Sequence, residues 1–252
     1  MQVSRTVAEW LERRRAIAGR SSGFVPTMGA LHRGHASLIE HCRKQNEIVV
    51  VSIFVNPTQF NDPKDLQRYP RAVENDLATL ETLGADEIFL PGVSELYPHG
   101  YRFRVEEETV THLMEGAWRP GFLQGVMTVV LKLLNLVRPD RAYFGEKDFQ
   151  QFKIITDMVE DLFIPTEIVL CPTVRDPSGL AESSRNALLP SAARNQAACL
   201  FRALTAAGSP VEAKAMLESE GFTVDYVEEH WGRRFAAAFL NDVRLIDNVP
   251  LT

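Results

Sequence analysis

The sequence predicts an α/β fold: a doubly wound parallel sheet followed by a small α+β C-terminal domain. Three observations carry this. Short apolar runs alternate with helix-like stretches through residues 23–171, a β-α-β-α rhythm. Residues 48–55 are β-branched and apolar on both faces, which suits a central parallel strand covered by helices. After Asn186 the rhythm gives way to an Ala-rich helical stretch, a Gly208-Ser209-Pro210 break and short strands.

The elements follow in order. The N-terminus is a solvated helix with Trp10, Leu11 and Ile17 on its inner side. Residues 23–26 read as a strand, and a glycine-containing turn leads to a helix over 35–45. The strand at 48–55 comes next, then a helix over 70–83 ending at Gly84, and a strand at 87–90. Residues 125–137 form a nearly all-apolar helix, whose surface would suit a subunit interface. A strand at 141–144, a helix at 148–161 and a strand at 167–171 complete the first part. The spacing then predicts one helix over 191–206, a short helix, a strand near 223–227 and a last apolar stretch ending at Ile246. The domains divide as 1–186 and 187–252, and the second is too short to be stable alone. The site is expected at the carboxyl ends of the strands.

Composition narrows the function. The chain has 252 residues, 45% hydrophobic and 24% charged, with net charge −6. An acidic surface repels nucleic-acid phosphates, so no nucleic-acid partner is expected. No apolar run reaches the roughly 18 residues of a spanning helix, so no membrane association is expected. Cys42, Cys171 and Cys199 are far apart and form no CxxC pair. They read as reduced thiols of a cytoplasmic protein, and no zinc site is suggested.

Four blocks carry chemistry, each beside a predicted strand end or helix start. The first runs Pro26-Thr27-Met28-Gly29-Ala30-Leu31-His32-Arg33-Gly34-His35. Its glycines let backbone approach a ligand, and the following helix N-terminus suits phosphate. Imidazoles at His32 and His35 can donate to phosphoryl oxygens, or they can simply shape a tight turn. The second, Ser52 to Phe60, offers Asn56 and Gln59 as neutral groups for a polar substrate, or as caps for loop backbone. The third is Phe144-Gly145-Glu146-Lys147-Asp148-Phe149-Gln150-Gln151. Lys147 is a counter-charge for phosphates, Gln151 falls one turn into the helix on the side of the strand ends, and Asp148 can cap the helix or help hold ribose or a metal. The fourth, Leu180-Ala181-Glu182-Ser183-Ser184-Arg185-Asn186, places two hydroxyls beside a guanidinium. That is an anion clamp, or a helix start with serine caps. The chain has no GxxxxGK[ST], no GxGxxG after the first strand and no G-x-S-x-G, which disfavours a P-loop enzyme, an NAD enzyme and an α/β-hydrolase.

Together these blocks resemble the pantothenate synthetase family, in order and in spacing. Tyr69-Pro70-Arg71, Arg119-Pro120-Gly121, Gly125-Val126, Thr128-Val129-Val130, Pro172-Thr173-Val174-Arg175 and Arg244-Leu245-Ile246-Asp247-Asn248 agree as well. The resemblance covers nearly the whole chain and is weakest after Asn186. It implies a Rossmann-like ATP domain of the HxGH nucleotidyltransferase type, a small C-terminal lid and a homodimer. It implies ATP with Mg²⁺, the substrates pantoate and β-alanine, and two steps through a pantoyl adenylate.

Carried over by motif, His32, His35, Lys147, Ser183 and Arg185 would neutralise phosphates, with His35 as the acid–base residue. Met28, Gly29, Ala30, Leu31, Arg33, Gly34, Gly145, Glu146, Asp148, Val174, Glu182 and Ser184 would line the nucleotide. Gln59 and Gln151 would grip pantoate beside Pro26, with Asn56 and Gln59 near the incoming amine. No motif fixes the Mg²⁺ ligands; Asp76 is a candidate. Three positions depart from the family pattern: Phe122 in place of the usual His, Ser178 in place of Asp, and Glu182 at a variable position. The C-terminal region is also shorter than usual. Two other readings stay open: an HxGH nucleotidyltransferase that leaves its nucleotide on the product, and a non-catalytic nucleotide-binding paralogue.

Overall fold

The structure, a computed structural model, describes residues 1–251, with backbone alone at residues 191 and 192. It has two compact units, Met1–Gly145 with Gln150–Cys171, and Glu146–Phe149 with Pro172–Thr252. The sequence places a domain boundary near residue 186; the compact units divide earlier, after Cys171, and the second also takes the short segment Glu146–Phe149.

The first unit contains β1 (Gln2–Ser4), α1 (Val7–Ala16), β2 (Ser22–Thr27), α2 (Arg33–Gln45), β3 (Ile48–Ile53), α3 (Pro63–Arg68), α4 (Val73–Thr82) and β4 (Glu87–Phe89). It continues through α5 (Val93–Leu96), α6 (Met114–Trp118), α7 (Phe122–Val137), β5 (Arg141–Gly145), α8 (Phe149–Asp161, all but its first residue) and β6 (Glu167–Cys171). The six strands form one parallel sheet in the order β1-β4-β3-β2-β5-β6. Strand order reverses between β2 and β5, the place where doubly wound sheets open a crevice at their carboxyl ends.

Alternation along the strands splits the core into two layers. Phe24, Val50, Phe89, Ala142 and Phe144 face one side, where α7 supplies Val126, Val130 and Leu134, and α1 supplies Trp10. Val25, Val49, Val51, Ile88 and Tyr143 face the other, against Ile39 and Cys42 of α2 and Leu80 of α4. Both faces are covered, so the strands read as continuous apolar runs.

Several expectations change. The helix α7 does not present an apolar surface for a subunit: ten of its residues, from Leu123 to Val137, are buried in this unit's own core. The helix expected from residue 70 starts at Val73, because Ala72 still has the non-helical backbone of an N-cap. The edge strand β1 and the short helices α3, α5 and α6 have too few residues to show a period.

The second unit holds α9 (Ser191–Ala197), α10 (Cys199–Ala206), α11 (Pro210–Ser219) and the antiparallel sheet β7 (Thr223–His230), β8 (Arg233–Leu240), β9 (Val243–Pro250), in that order. The single helix expected over 191–206 is interrupted at Ala198, whose backbone stays right-handed helical while the bonding ladder lapses. The last apolar stretch is two strands, closed by two-residue turns. Trp231 and Gly232 both have positive φ, 49° and 69°, as a right-twisted hairpin requires. Ala236 and Ala238 let α10 pack close to β8, and that alanine run disguised the strand, since alanine has low β propensity.

Candidate functional site

The first block leaves β2 at Thr27 and turns sharply. Gly29 has φ +78°, and a Cβ there would lie 2.8 Å from Asp76 Oδ2. Asp76, on α4, is buried and accepts from two successive backbone amides: Ala30 N at 2.9 Å on Oδ2 and Leu31 N at 2.8 Å on Oδ1. Both carboxylate oxygens are therefore used to shape the loop. Asp76 thus has a structural role in shaping the loop, and no group of three His, Cys, Asp or Glu among the described residues could hold a metal.

His32 is the N-cap of α2 and His35 is its third residue. The His32 ring accepts from Gly34 N through Nδ1 at 3.1 Å, and His35 Nδ1 accepts from His32 N at 3.3 Å. The two rings thus form a reciprocal capping box, normally built from Ser or Thr with Glu, and satisfy two orphan amides of the helix. This decides the tautomer. A nitrogen that accepts from N–H carries no proton, so in both neutral rings the proton sits on Nε2. The ring centroids are 4.0 Å apart. The tight-turn reading of this block holds at Nδ1, and the neutral rings keep their N–H at Nε2.

The second block ends β3. Asn56 caps the turn Pro57–Gln59, and both it and Gln59 are buried. Asn56 Nδ2 donates to Gln59 Oε1 at 3.0 Å and to Gly125 O at 3.1 Å. Its Oδ1 accepts from Tyr97 Oη at 2.9 Å and from Thr58 Oγ1 at 2.9 Å. Tyr97, which the sequence reading did not single out, is buried, and burial raises its phenol above the usual value despite its bonds to Thr58 and Asn56. Gln150 is also buried and serves structure: its amide donates to Val110 O and Leu113 O and accepts from Glu115 N. Gln151, the next residue, is half-buried, and its side chain makes no hydrogen bond among the described residues.

Phe122 has a local explanation. Arg119 stacks its guanidinium over the Phe122 ring at 3.9 Å, pairs with Glu115 at 3.3 Å and donates to Gln59 O at 3.4 Å. A neutral aromatic ring serves that stack through its π face.

In the second unit, Lys147 lies in the turn Glu146–Asp148, with Nζ 3.7 Å from Asp148 Oδ1. Asn248 of β9 holds this turn by donating to Glu146 O and Lys147 O, both at 2.9 Å, and Arg233 pairs with Glu146 at 3.0 Å. Ser183 caps the turn Ser184–Leu188 by accepting from Arg185 N at 3.3 Å, so its cap reading holds. Glu182 N donates to Val174 O at 2.9 Å, which joins two of the expected nucleotide residues. Arg175 makes a bidentate pair with buried Asp247 at 2.5 and 2.9 Å and stacks on Phe201. Ser178 donates backbone and hydroxyl to Asp176 Oδ1. Burial alone would raise the Asp176 carboxyl, but these bonds outweigh it and hold the group low. A carboxylate at 178 would offer Asp176 no such hydroxyl.

A family model described as pantoate-beta-alanine ligase matches residues 1–250. The chain belongs to the pantoate–β-alanine ligase family. It is 52% identical over 250 residues to the pantothenate synthetase of Bdellovibrio bacteriovorus, covering 99% of each chain. It is 48% identical over 252 residues to that of Legionella pneumophila, covering all of both, so the short C-terminal region is shared with that relative. The crystal structure of the Francisella tularensis pantoate–β-alanine ligase, complexed with β,γ-ATP and β-alanine, superposes with a TM-score of 0.95 at 41% identity. That match covers 99% of this chain and 97% of the other. The family is one of enzymes, and its fold is the one described above. Asp247, Asn248 and Tyr97 are the positioning residues that sequence reasoning passed over. The first two stood in the Arg-Leu-Ile-Asp-Asn block without a role, and nothing in the sequence ties Tyr97 to Asn56.

Proposed function

We propose that this chain joins pantoate to β-alanine at the expense of Mg-ATP, through a pantoyl adenylate, releasing AMP and pyrophosphate. The observation that carries the reading is the capping box of His32 and His35. It places two Nε2–H groups at the start of α2, just past the carboxyl end of β2, in a chain that a ligase-family model matches over residues 1–250.

In the first step a pantoate carboxylate oxygen attacks the α-phosphorus, and the bond to the bridging oxygen breaks. Negative charge grows on the departing pyrophosphate, and the His32 and His35 Nε2–H groups donate to it without reorganisation. With Nδ1 occupied by the His32 amide, His35 can exchange a proton only through Nε2. In the second step the β-alanine amine attacks the acyl carbon, the C–O bond to AMP breaks, and the amine loses a proton. No covalent enzyme intermediate is needed, so catalysis rests on positioning and exclusion of water. Lys147, Ser183 and Arg185 are assigned to phosphate by motif, Ser184 to the nucleotide lining, and Gln59 and Gln151 to pantoate. Residues 187–252 are assigned the role of a lid. Mg²⁺ enters with the nucleotide and commonly takes most of its oxygens from phosphates and water. A homodimer in the cytoplasm completes the proposal, its interface formed elsewhere than on α7. No helix among the described residues is long and apolar enough to cross a membrane.

The test is turnover of purified protein with carboxyl-¹⁸O pantoate, β-alanine and Mg-ATP. Pantothenate, pyrophosphate and AMP carrying one ¹⁸O are expected. A nucleotide left on the product, with no free AMP, would instead identify a nucleotidyltransferase.

A further inference from the structure

We infer that the Gly125 carbonyl, acting through Asn56, decides which end of the Gln59 carboxamide faces the substrate, and that Asn56 and Tyr97 are positioning residues for the hydroxy acid. This rests on the ligase reading and deepens it.

The carbonyl oxygen of Gly125 can only accept. Gly125 O lies 3.1 Å from the Asn56 carboxamide, so the Asn56 atom facing it must be Nδ2. The carbonyl is held in place. Gly125 of α7 packs backbone against backbone on the Pro57–Gln59 turn, and a Cβ at 125 would lie 2.5 Å from Thr58 O. With Nδ2 fixed, Oδ1 points the other way, where Tyr97 Oη and Thr58 Oγ1 both donate to it. The Tyr97 ring is pinned in turn: Lys132 Nζ sits 4.6 Å from its centroid and donates to Leu96 O at 2.7 Å. The second Nδ2 proton of Asn56 needs an acceptor, and Gln59 Oε1 supplies it at 3.0 Å.

The consequence falls on Gln59. Its oxygen is committed to Asn56, so its Nε2 carries both protons outward, and Nε2 has no protein partner among the described residues. A substrate atom meeting it must be an acceptor: a hydroxyl or carboxylate oxygen of the hydroxy acid. An ammonium or amine N–H of the second substrate would face donors and be rejected. Asn56, with two donors and one oxygen all occupied by protein, has nothing left for either substrate. It sets the polarity of Gln59 and does not contact the amine.

The experiment compares Asn56→Asp with Asn56→Ala. Aspartate keeps the shape but can only accept, so Gln59 turns its Nε2 inward and presents oxygen to the substrate. Alanine merely frees Gln59. An inverted contact is worse than a loose one, so KM for pantoate should rise about a hundredfold in Asn56→Asp and about tenfold in Asn56→Ala, with KM for ATP within about twofold of wild type. A direct-contact role predicts the isosteric aspartate to be no worse than alanine, and a purely structural role predicts pantoate and ATP KM to rise together; either outcome overturns the inference.

If Asn56→Asp melts below assay temperature, Tyr97→Phe decides. It removes one donor to Oδ1 and leaves the ring, so pantoate KM should rise about threefold at unchanged kcat, and a wild-type KM overturns the inference. Wild-type turnover, measured first, tests the ligase reading by itself. Independently of turnover, both Asn56 side-chain amide protons should exchange slowly with solvent by NMR, and rapid exchange of either sinks the relay.

Discussion

The His32–His35 loop of the first unit and the Lys147 turn of the second are held by contacts of different range. In the first, the His32–His35 loop is set by neighbours in sequence: each ring bonds an amide two or three residues away. Asp76 reaches in from a distance. In the second, the turn carrying Lys147 is held by Asn248, 101 residues further along. Arg175 is held by Asp247, 72 residues away. Local caps form as soon as the helix does, whereas the Lys147 turn has no shape until the β7-β8-β9 sheet has formed. Damage to the first region should therefore act on chemistry, and damage to the second on stability as well.

The largest expected effect is in the first region. His35→Ala removes a donor aimed at developing charge and one cap bond, and should lower kcat for pantothenate formation about 10²- to 10³-fold. A loss under about tenfold would mean that the capping role dominates.

Asp247→Ala breaks a buried pair and leaves the Arg175 guanidinium uncompensated, costing about 3–5 kcal/mol of stability by urea unfolding. Asn248→Ala should be milder in stability, about 1–3 kcal/mol, yet should raise KM for ATP because the Lys147 turn loses both its donors. If instead Asn248→Ala left ATP KM unchanged, the long-range contrast between the regions would fail at Lys147.

Asp76→Asn points an amide group at one of two backbone N–H donors. Stability should fall by about 1–3 kcal/mol with turnover reduced and the Mg²⁺ dependence of rate unmoved. A shifted Mg²⁺ requirement would restore Asp76 as a ligand.

A further effect is alkaline. Burial pushes the Cys42 thiol up to about 12, the Tyr143 phenol up to about 12 and the Cys171 thiol up to about 11. All three lie in one core layer of the first unit. The folded state keeps protons that the unfolded chain releases, so their contribution is whole below the ordinary thiol range and is lost as pH rises toward 12. Urea midpoints should fall between about pH 8 and about pH 10.5, in the first unit before the second, and a flat profile would show these groups to be hydrated.

Much of the site was legible because its residues act through local chemistry. HxGH after a strand already places two imidazoles at a helix start, and Ser-Ser-Arg already reads as both cap and clamp. Asn56 was legible as a polar group but not as an occupied one, because its partners Gly125 and Tyr97 lie 69 and 41 residues away. Asp76 looked like a ligand because nothing local shows that its oxygens face the Ala30 and Leu31 amides.

The sequence by itself determined the parallel sheet apart from its edge strand β1, the order of its longer strands and helices, and the family to which the chain belongs. Alternation of apolar residues and local turn chemistry act over a few residues, so they can be read without knowing where the chain goes next. Tertiary structure alone decided that α7 is a core helix, that the alanine run at 236–238 is a strand, and which way the Gln59 amide points. Burial and hydrogen-bond polarity depend on what sits opposite a residue, and that partner is chosen only when distant segments meet.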